Sequence, residues 1–250
     1  MSELVFGYHA TESLIRQRPD QIQALMLQAD RNDKRMQALN DLARTQGVPI
    51  TRCVKSDLDA LTVGRHQGVI ATLRQGASLG AAGQTSEADL PALVAAAERP
   101  LLLILDGVTD PHNLGACLRS ADAAGVTAVI FPKDKSADIT DVARKVASGA
   151  AETVPWVKVT NLARTLEHLK KAGVWIIGTS GEVSETLHDQ DLTLPCALVL
   201  GSEGVGMRRL TREACDFLVS IPMAGAVSSL NVSVAAGVCL FEAVRQRRGK

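Results

Sequence analysis

A mostly parallel α/β sheet is the fold class predicted for the larger part of this chain, on three observations. Short apolar runs recur from position 101 onward: LLLILD, AVIF, WVKV, VWIIGTS, ALVLGSEG and FLVSIP. Helix-like stretches alternate with them: NLGACLRSADAAG, DITDVARKVASGA, LARTLEHLKKAG and RRLTREACD. The strand-like runs are continuously apolar rather than alternating, which is the pattern of strands covered by helices on both faces.

Taken in chain order, residues 1–73 read as a small α/β domain of their own. HATESLIRQR, NDKRMQALNDLARTQG and KSDLDALTVG repeat apolar residues at helical spacing, and IQALMLQ, PITRCV and HQGVIATL read as strands between them. Residues 74–97 begin with Gly, Ala, Ser, Gln and Thr and hold Leu79 as their first large apolar residue, so they read as a linker running into a short alanine-rich helix near 87–98. Residues 98–250 then carry the alternating strands and helices, ending in a small-residue-rich helix at about 230–247. No repeat of solenoid length interrupts this order.

Composition narrows the function classes. The 250 residues are 46% apolar, enough for a sizeable core. Lys+Arg (27) balances Asp+Glu (27), so bulk charge neither predicts nor excludes a nucleic-acid partner, which needs only a local basic patch. Five cysteines without a CxxC pair suit a reducing cytosol. MSELVFGYHATE lacks a basic-then-apolar signal pattern and no apolar stretch approaches the ~18 residues of a membrane span, so a cytoplasmic protein with no membrane partner is expected. No His/Cys/carboxylate cluster has metal-ligand spacing, so no metal is expected.

Ligands of open α/β sheets sit beyond the carboxyl ends of the strands. There the chain places Gly107 to Asn113 with Arg119 farther along the helix, then Thr179 and Ser180, Gly201 to Gly206, and Pro222 to Asn231. The last two are nearly chargeless glycine- and serine-rich loops, suited to a neutral or zwitterionic small molecule held by main-chain groups. Each polar residue also has an ordinary reading. Arg119 could pair with Asp122 on a helix surface, Glu203 could be solvated or serve a helix N-terminus, Asn113 could cap its helix, and His112 reads as a turn residue. The turn GSEGVG prompts a nucleotide-binding dehydrogenase, but its spacing is GxxGxG and the next strand ends in Ile221-Pro222 instead of an acid.

The stretches DPHNLGACLRSADAAG, LVLGSEGVG and IPMAGAVSSLNVSVAAGV resemble the three ordered motifs of the SpoU, or TrmH, family of RNA ribose 2′-O-methyltransferases. FGYHATESL and RHQGVIA resemble the N-terminal RNA-binding extension of the branch that methylates a guanosine in large-subunit (23S) ribosomal RNA. The resemblance implies a SPOUT-type domain whose C-terminal segment threads a trefoil knot, a topology otherwise close to forbidden. It also implies S-adenosyl-L-methionine as methyl donor, a homodimer, and an N-terminal domain related to ribosomal proteins that grasp RNA turns. The substrate is then 23S ribosomal RNA or a ribosome assembly intermediate; a tRNA substrate and a non-catalytic assembly factor stand as alternatives.

The same resemblance implies site residues. Arg119 matches the family's essential arginine, engaging a substrate phosphate and assisting deprotonation of the 2′-hydroxyl. A guanidinium with a pKa above about 12 is a poor base, so its role is read as electrostatic. Asn113 would orient Arg119 or the ribose, Glu203 would hold the arginine or accept from the nucleotide, and Ser229 and Asn231 would contact the ribose. Gly201, Ile221 and Leu230 match positions that grip the donor's adenosine through the main chain, with Thr179, Met223 and Ser229 beside them. Tyr8, His9, Arg65, His66 and Gln67 would lie near RNA. Arg16, Arg18, Arg31, Lys34, Arg35, Arg44, Arg52 and Arg65 form either a phosphate-contacting surface or a solvated face. Only Phe6 and Tyr8 are aromatic in this part, so base stacking on an aromatic platform is not expected.

Overall fold

The computed structural model describes residues 4–17, 19–62, 66–74 and 83–248, and the chain divides into two compact units, Met1–Ala82 and Gly83–Lys250. Each unit has its own apolar core.

The first unit runs β1 (Leu4–Phe6), α1 (Tyr8–Gln17), β2 (Ile22–Gln28), α2 (Lys34–Thr45), β3 (Ile50–Cys53), α3 (Lys55–Leu61) and β4 (Val69–Leu73). Its sheet has the order β1-β4-β2-β3, with β2 and β3 parallel and β4 antiparallel to both its neighbours. The helix expected from Asn32 begins at Lys34 because the Asp33 carboxylate caps it, accepting from the Arg35 and Met36 main-chain N–H groups at 3.0 and 3.1 Å. Leu14, Ile15, Ile22, Leu25, Leu27, Leu39 and Val69 are buried between sheet and helices. The edge strand β1 is three residues long, too short for a periodic signal, and was absent from the sequence reading.

The second unit opens with β5 (Gln84–Thr85) and α4 (Leu90–Ala95). It continues β6 (Leu101–Asp106), α5 (Pro111–Ala124), β7 (Ala128–Pro132), α6 (Asp141–Ala147), α7 (Ala150–Thr153) and β8 (Trp156–Val159). Then follow α8 (Leu162–Lys171), β9 (Trp175–Thr179), β10 (Cys196–Gly201), α9 (Arg209–Glu213), β11 (Phe217–Val219) and α10 (Val232–Arg248). The seven-stranded sheet has the order β11-β9-β10-β6-β7-β8-β5, and every pairing in it is parallel. Central strands β6 and β7 are buried along their whole length, which accounts for their unbroken apolar sequence.

Four boundaries differ from the sequence reading. Residues 83–97, read as the end of a linker, belong to the second unit: β5 pairs with β8, and α4 puts Leu90 and Val94 into the core. Gly83 makes that docking possible, since its φ is +100° and a Cβ there would lie 2.3 Å from the Ala151 carbonyl oxygen. The helix expected over 138–150 is two helices, because Ser148 and Gly149 both take left-handed backbone conformations. The strands expected to run to 204 and 222 stop at Gly201 and Val219, leaving both following segments free as loops.

The C-terminal helix is tied to the amino ends of β6 and β10 by one guanidinium. Arg247 donates to the carbonyl oxygens of Arg99 (2.7 Å), Pro100 (3.3 Å), Leu192 (2.9 Å) and Leu194 (2.8 Å). Among the described residues no helix is long and apolar enough to cross a membrane.

Candidate active site

Because all seven strands of the large sheet run the same way, the residues after β6, β9, β10 and β11 emerge at one edge. Asp106 and Gly201 are register partners on adjacent strands there. After β6 the chain turns at Gly107 (φ +81°) and enters α5 through Asp110, whose carboxylate accepts from the His112 N–H at 2.8 Å, with Pro111 in the first helical turn. The cap is thus Asp110 and not Asn113, which sits in the first turn with its side chain free for other work.

After β10, Ser202 and Gly206 exchange main-chain hydrogen bonds of 3.1 and 2.9 Å, and Gly204 and Gly206 both have positive φ. This tight loop presents Glu203. One carboxylate oxygen, Oε1, accepts from Asn113 Nδ2 (3.3 Å), Asn231 Nδ2 (2.6 Å) and the main-chain N–H of Val232 (3.2 Å). Asn231 Nδ2 also lies 3.0 Å from Asn113 Oδ1. Three segments far apart in sequence are thereby joined by one anion at the N-terminus of α10, where the helix dipole favours negative charge. Glu203 therefore does serve a helix N-terminus, and holds the two asparagines in the same act.

Arg119 is not in this cluster. Expected to be held by Glu203 or oriented by Asn113, it instead has an exposed side chain with no hydrogen bond or ion pair among the described residues. Six residues at about 100° each rotate it roughly 120° around α5 from Asn113, so the two side chains leave the helix in different directions. Nor is Arg119 bound to Asp122, whose carboxylate accepts from Thr153 Oγ1.

The second loop has the character of a main-chain receptor. From Ile221 to Leu230 no main-chain N–H finds an acceptor among the described residues. Ser229 is exposed, whereas Ile221, Met223 and Leu230 are half-buried. Thr179 closes β9 with its hydroxyl donating to the Val199 carbonyl oxygen at 3.2 Å. Gly201 is covered by its own loop: a Cβ there would stand 2.1 to 2.5 Å from main-chain atoms of Gly206 and Met207. N–H groups without an internal partner, in a mostly exposed loop beside the half-buried Ile221, Met223 and Leu230, leave main-chain donors available to a small molecule.

The sequence reading passed over two residues at this edge. The Asp106 carboxylate, fully buried, accepts from Arg208 Nε at 2.6 Å and from the Arg208 main-chain N–H at 2.8 Å. The signal was present as a lone acid closing the apolar run LLLILD. A cavity of about 420 Å³ at the far side of the sheet, lined by Gln84 to Glu87, Lys133 and Lys158, lies near none of these groups. Among the described residues no group of three or more His, Cys, Asp or Glu is placed to hold a metal ion.

In the first unit, Gln67 (φ +52°) and Gly68 (φ +75°) form a left-handed turn before β4. Gln67 Oε1 accepts from the Tyr8 N–H at 3.1 Å, and its carbonyl oxygen accepts from Arg31 Nη1 at 2.5 Å. His66 braces the turn, with Nε2 2.7 Å from Asp59 and Nδ1 accepting from the Gly68 N–H at 3.0 Å. Both ring nitrogens are occupied and the residue is buried, so His66 shapes this turn from within. His9 is exposed beside Tyr8, ring centroids 5.3 Å apart, whereas Arg65 and Arg18 lie outside the described residues. Burial and the Glu12 carboxylate raise the Tyr8 phenol above its ordinary pKa.

Known proteins resemble this chain along its whole length. Residues 100–241 match the SpoU rRNA methylase family, and residues 4–77 match the RNA 2′-O ribose methyltransferase substrate-binding domain. The chain is 55% identical over 248 residues to the 23S rRNA (guanosine-2′-O-)-methyltransferase RlmB of Escherichia coli K12, covering 99% of this chain and 100% of that one. It is 54% identical over 249 residues to RlmB of Pseudomonas putida, covering 99% and 98%. The SpoU methyltransferase AviRb of Streptomyces viridochromogenes, solved in complex with the cofactor AdoMet, superposes with a TM-score of 0.73 at 26% identity, covering 100% of this chain and 92% of that one. On whole-length likeness and on the matched catalytic domain, the chain belongs to the SpoU rRNA methylase family.

Proposed function

We propose that this protein methylates the 2′-hydroxyl of a guanosine in 23S ribosomal RNA, free or within a ribosome assembly intermediate, with S-adenosyl-L-methionine as donor. The observation that carries the reading is the joining of Asn113, Glu203 and Asn231 beside the unpaired main chain of Ile221–Leu230. Likeness along the whole chain to 23S rRNA guanosine methyltransferases supports the choice of RNA and of base.

When bound, the donor supplies a sulfonium methyl for in-line displacement by the ribose oxygen. The protein's part is to hold two substrates in line, and such positioning alone supplies about 7–11 kcal/mol of barrier reduction. Main-chain groups of Gly201, Ile221 and Leu230, flanked by Thr179 and Met223, grip adenosine. Asn113 and Asn231, fixed by Glu203, orient the ribose together with Ser229. Arg119, free of internal partners, offers its guanidinium fork to the phosphate beside the target and favours the developing alkoxide electrostatically. Tyr8, His9, Arg65 and Gln67 contact RNA on the first unit, with His66 holding the turn.

The reading includes a homodimer and a C-terminal trefoil knot. Val234, Val238 and Phe241 are 52%, 36% and 49% exposed and lie on one stripe of α10, whose opposite face, with Ala236, Cys239, Leu240 and Ala243, is buried. Covering that stripe by a second copy predicts that Phe241→Asp yields a monomer in sedimentation analysis, whereas an unchanged oligomeric state counts against this interface. The knot enters this reading through likeness to the SpoU family alone. Ribosomal RNA as substrate puts the protein in the cytoplasm.

The direct test incubates the protein with 23S ribosomal RNA and S-adenosyl-L-methionine, digests the RNA and identifies the product by mass spectrometry. One 2′-O-methylguanosine is expected. Methylation of a base, or no transfer to free RNA or to ribosomal precursor particles, would overturn the reading.

A further inference from the structure

The geometry points to Asp106 as a positioning residue for methyl-donor binding, acting through Arg208 to hold the loop that carries Glu203; the inference rests on the methyltransferase reading above.

Asp106 ends the central strand β6 and its side chain is wholly buried, while Arg208 is 102 residues further along and its side chain is 44% exposed. Both carboxylate oxygens are used on the same residue: Oδ1 takes the guanidinium Nε and Oδ2 takes the main-chain N–H. A surface ion pair between flexible side chains would fix little. Here one partner is buried on a rigid strand and the other is gripped at its backbone, so the path of the chain itself is fixed.

That path matters because of what lies upstream. Gly206 and Met207 cross directly over Gly201, the register partner of Asp106, and leave no room for a side chain. The loop from Ser202 to Gly206 closes on itself by only two main-chain hydrogen bonds and one from the Ser202 hydroxyl. Val205 at its tip is 84% exposed, so packing does not hold the loop down. It is fastened at its near end by β10 and at its far end by Asp106, with Glu203 between them bonded to Asn113, Asn231 and the start of α10. Release of the far end would lift Gly206–Arg208 away from Gly201 and shift Glu203, opening the adenosine site and loosening the ribose-orienting asparagines together.

Two substitutions in the full-length protein test this. Arg208→Ala removes a half-exposed side chain and keeps the main-chain bond, whereas Asp106→Asn removes the buried charge and one of the two acceptors. In the unliganded protein, amide hydrogen exchange at Ser202, Gly206 and Arg208 should quicken by about tenfold or more while exchange in β6 and β10 is unchanged. Titration calorimetry should show the dissociation constant for S-adenosyl-L-methionine raised about tenfold or more. Turnover should fall with it, the KM for RNA should stay at the wild-type value, and Arg208→Lys should recover part of the loss. Wild-type exchange and donor affinity in folded Asp106→Asn would overturn the inference, and if that variant fails to fold, Arg208→Pro, which suits the backbone φ of −61° there and removes both donors, decides the matter in the same way. Failure of the wild-type protein itself to bind donor would instead overturn the methyltransferase reading.

Discussion

Arg119 shows how a side chain with nothing to do in the folded structure is informative. It is exposed and unpaired, so its removal should cost stability by no more than about 0.5 kcal/mol. Arg119→Ala is expected to leave the melting temperature and donor affinity unchanged while lowering turnover by about 10²-fold or more, as loss of a group stabilising developing charge does. Arg119→Lys should not restore it, because an ammonium cannot make the planar two-point contact. Retained turnover in Arg119→Ala would remove this residue from the mechanism. Glu242 on α10 is the opposite case. Hydrogen bonds from Arg245 and then Gln246 pull its pKa down from 4.5 to about 2. A carboxyl depressed on folding stabilises fully above the unfolded pKa and loses that contribution as pH falls from about 4.5 toward 2, here on the order of 1–3 kcal/mol. Denaturant titrations at pH 7 and pH 3 should show that drop in the wild type and a smaller one in Glu242→Gln; equal drops would refute the assignment. Cys117 and Cys239, both pushed up to about 12 by burial, are unreactive core groups and not nucleophiles.

At the scale of elements, glycines separate packing from function. Gly115 lies where α5 meets α6, and a Cβ there would be 2.4 Å from the Ala143 carbonyl oxygen and 2.9 Å from Val146. Gly201 is blocked as closely, but by the loop that carries Glu203. Gly115→Ala is expected to destabilise the protein by about 1–3 kcal/mol with donor affinity retained, whereas Gly201→Ala should weaken donor binding disproportionately to its effect on stability. Calorimetric titration alongside denaturant unfolding distinguishes the two, and parallel losses in both variants would count against the cradle. These elements also mark what the sequence could reveal. The strands and helices of the large sheet announce themselves through apolar continuity and period, and Asn113, Glu203 and Asn231 through motif likeness. A two-residue strand at Gln84–Thr85 and a three-residue one at Leu4–Phe6 have no period to read, because main-chain pairing with a neighbour defines them. The Asp106–Arg208 pair spans 102 residues, and nothing local in either segment points to the other. The bracing role of His66 depends on Asp59 and the Gly68 N–H, which only the fold brings to its two ring nitrogens.

For the whole molecule, the chain divides into Met1–Ala82 and Gly83–Lys250, and the proposed function assigns a different task to each. Every group assigned to donor and ribose lies in the second unit, from Asn113 to Asn231, and that unit has a continuous core under a seven-stranded sheet. The first unit has a separate core and presents a braced turn, an exposed His9 and a set of arginines whose charges a phosphate backbone would meet. A protein lacking residues 1–82 is therefore expected to fold and to bind S-adenosyl-L-methionine with affinity close to that of the full chain. On the proposed assignment those residues hold RNA contacts and no donor contact, so the loss should fall on selection: ribose methylation mapped across 23S ribosomal RNA should drop at the natural site by about 10²-fold or spread to other positions. Full, site-specific methylation by the shortened protein would show that the second unit reads the RNA alone and that the first has another role. Loss of donor binding in a folded shortened protein would show instead that the two tasks are not divided as the cores are.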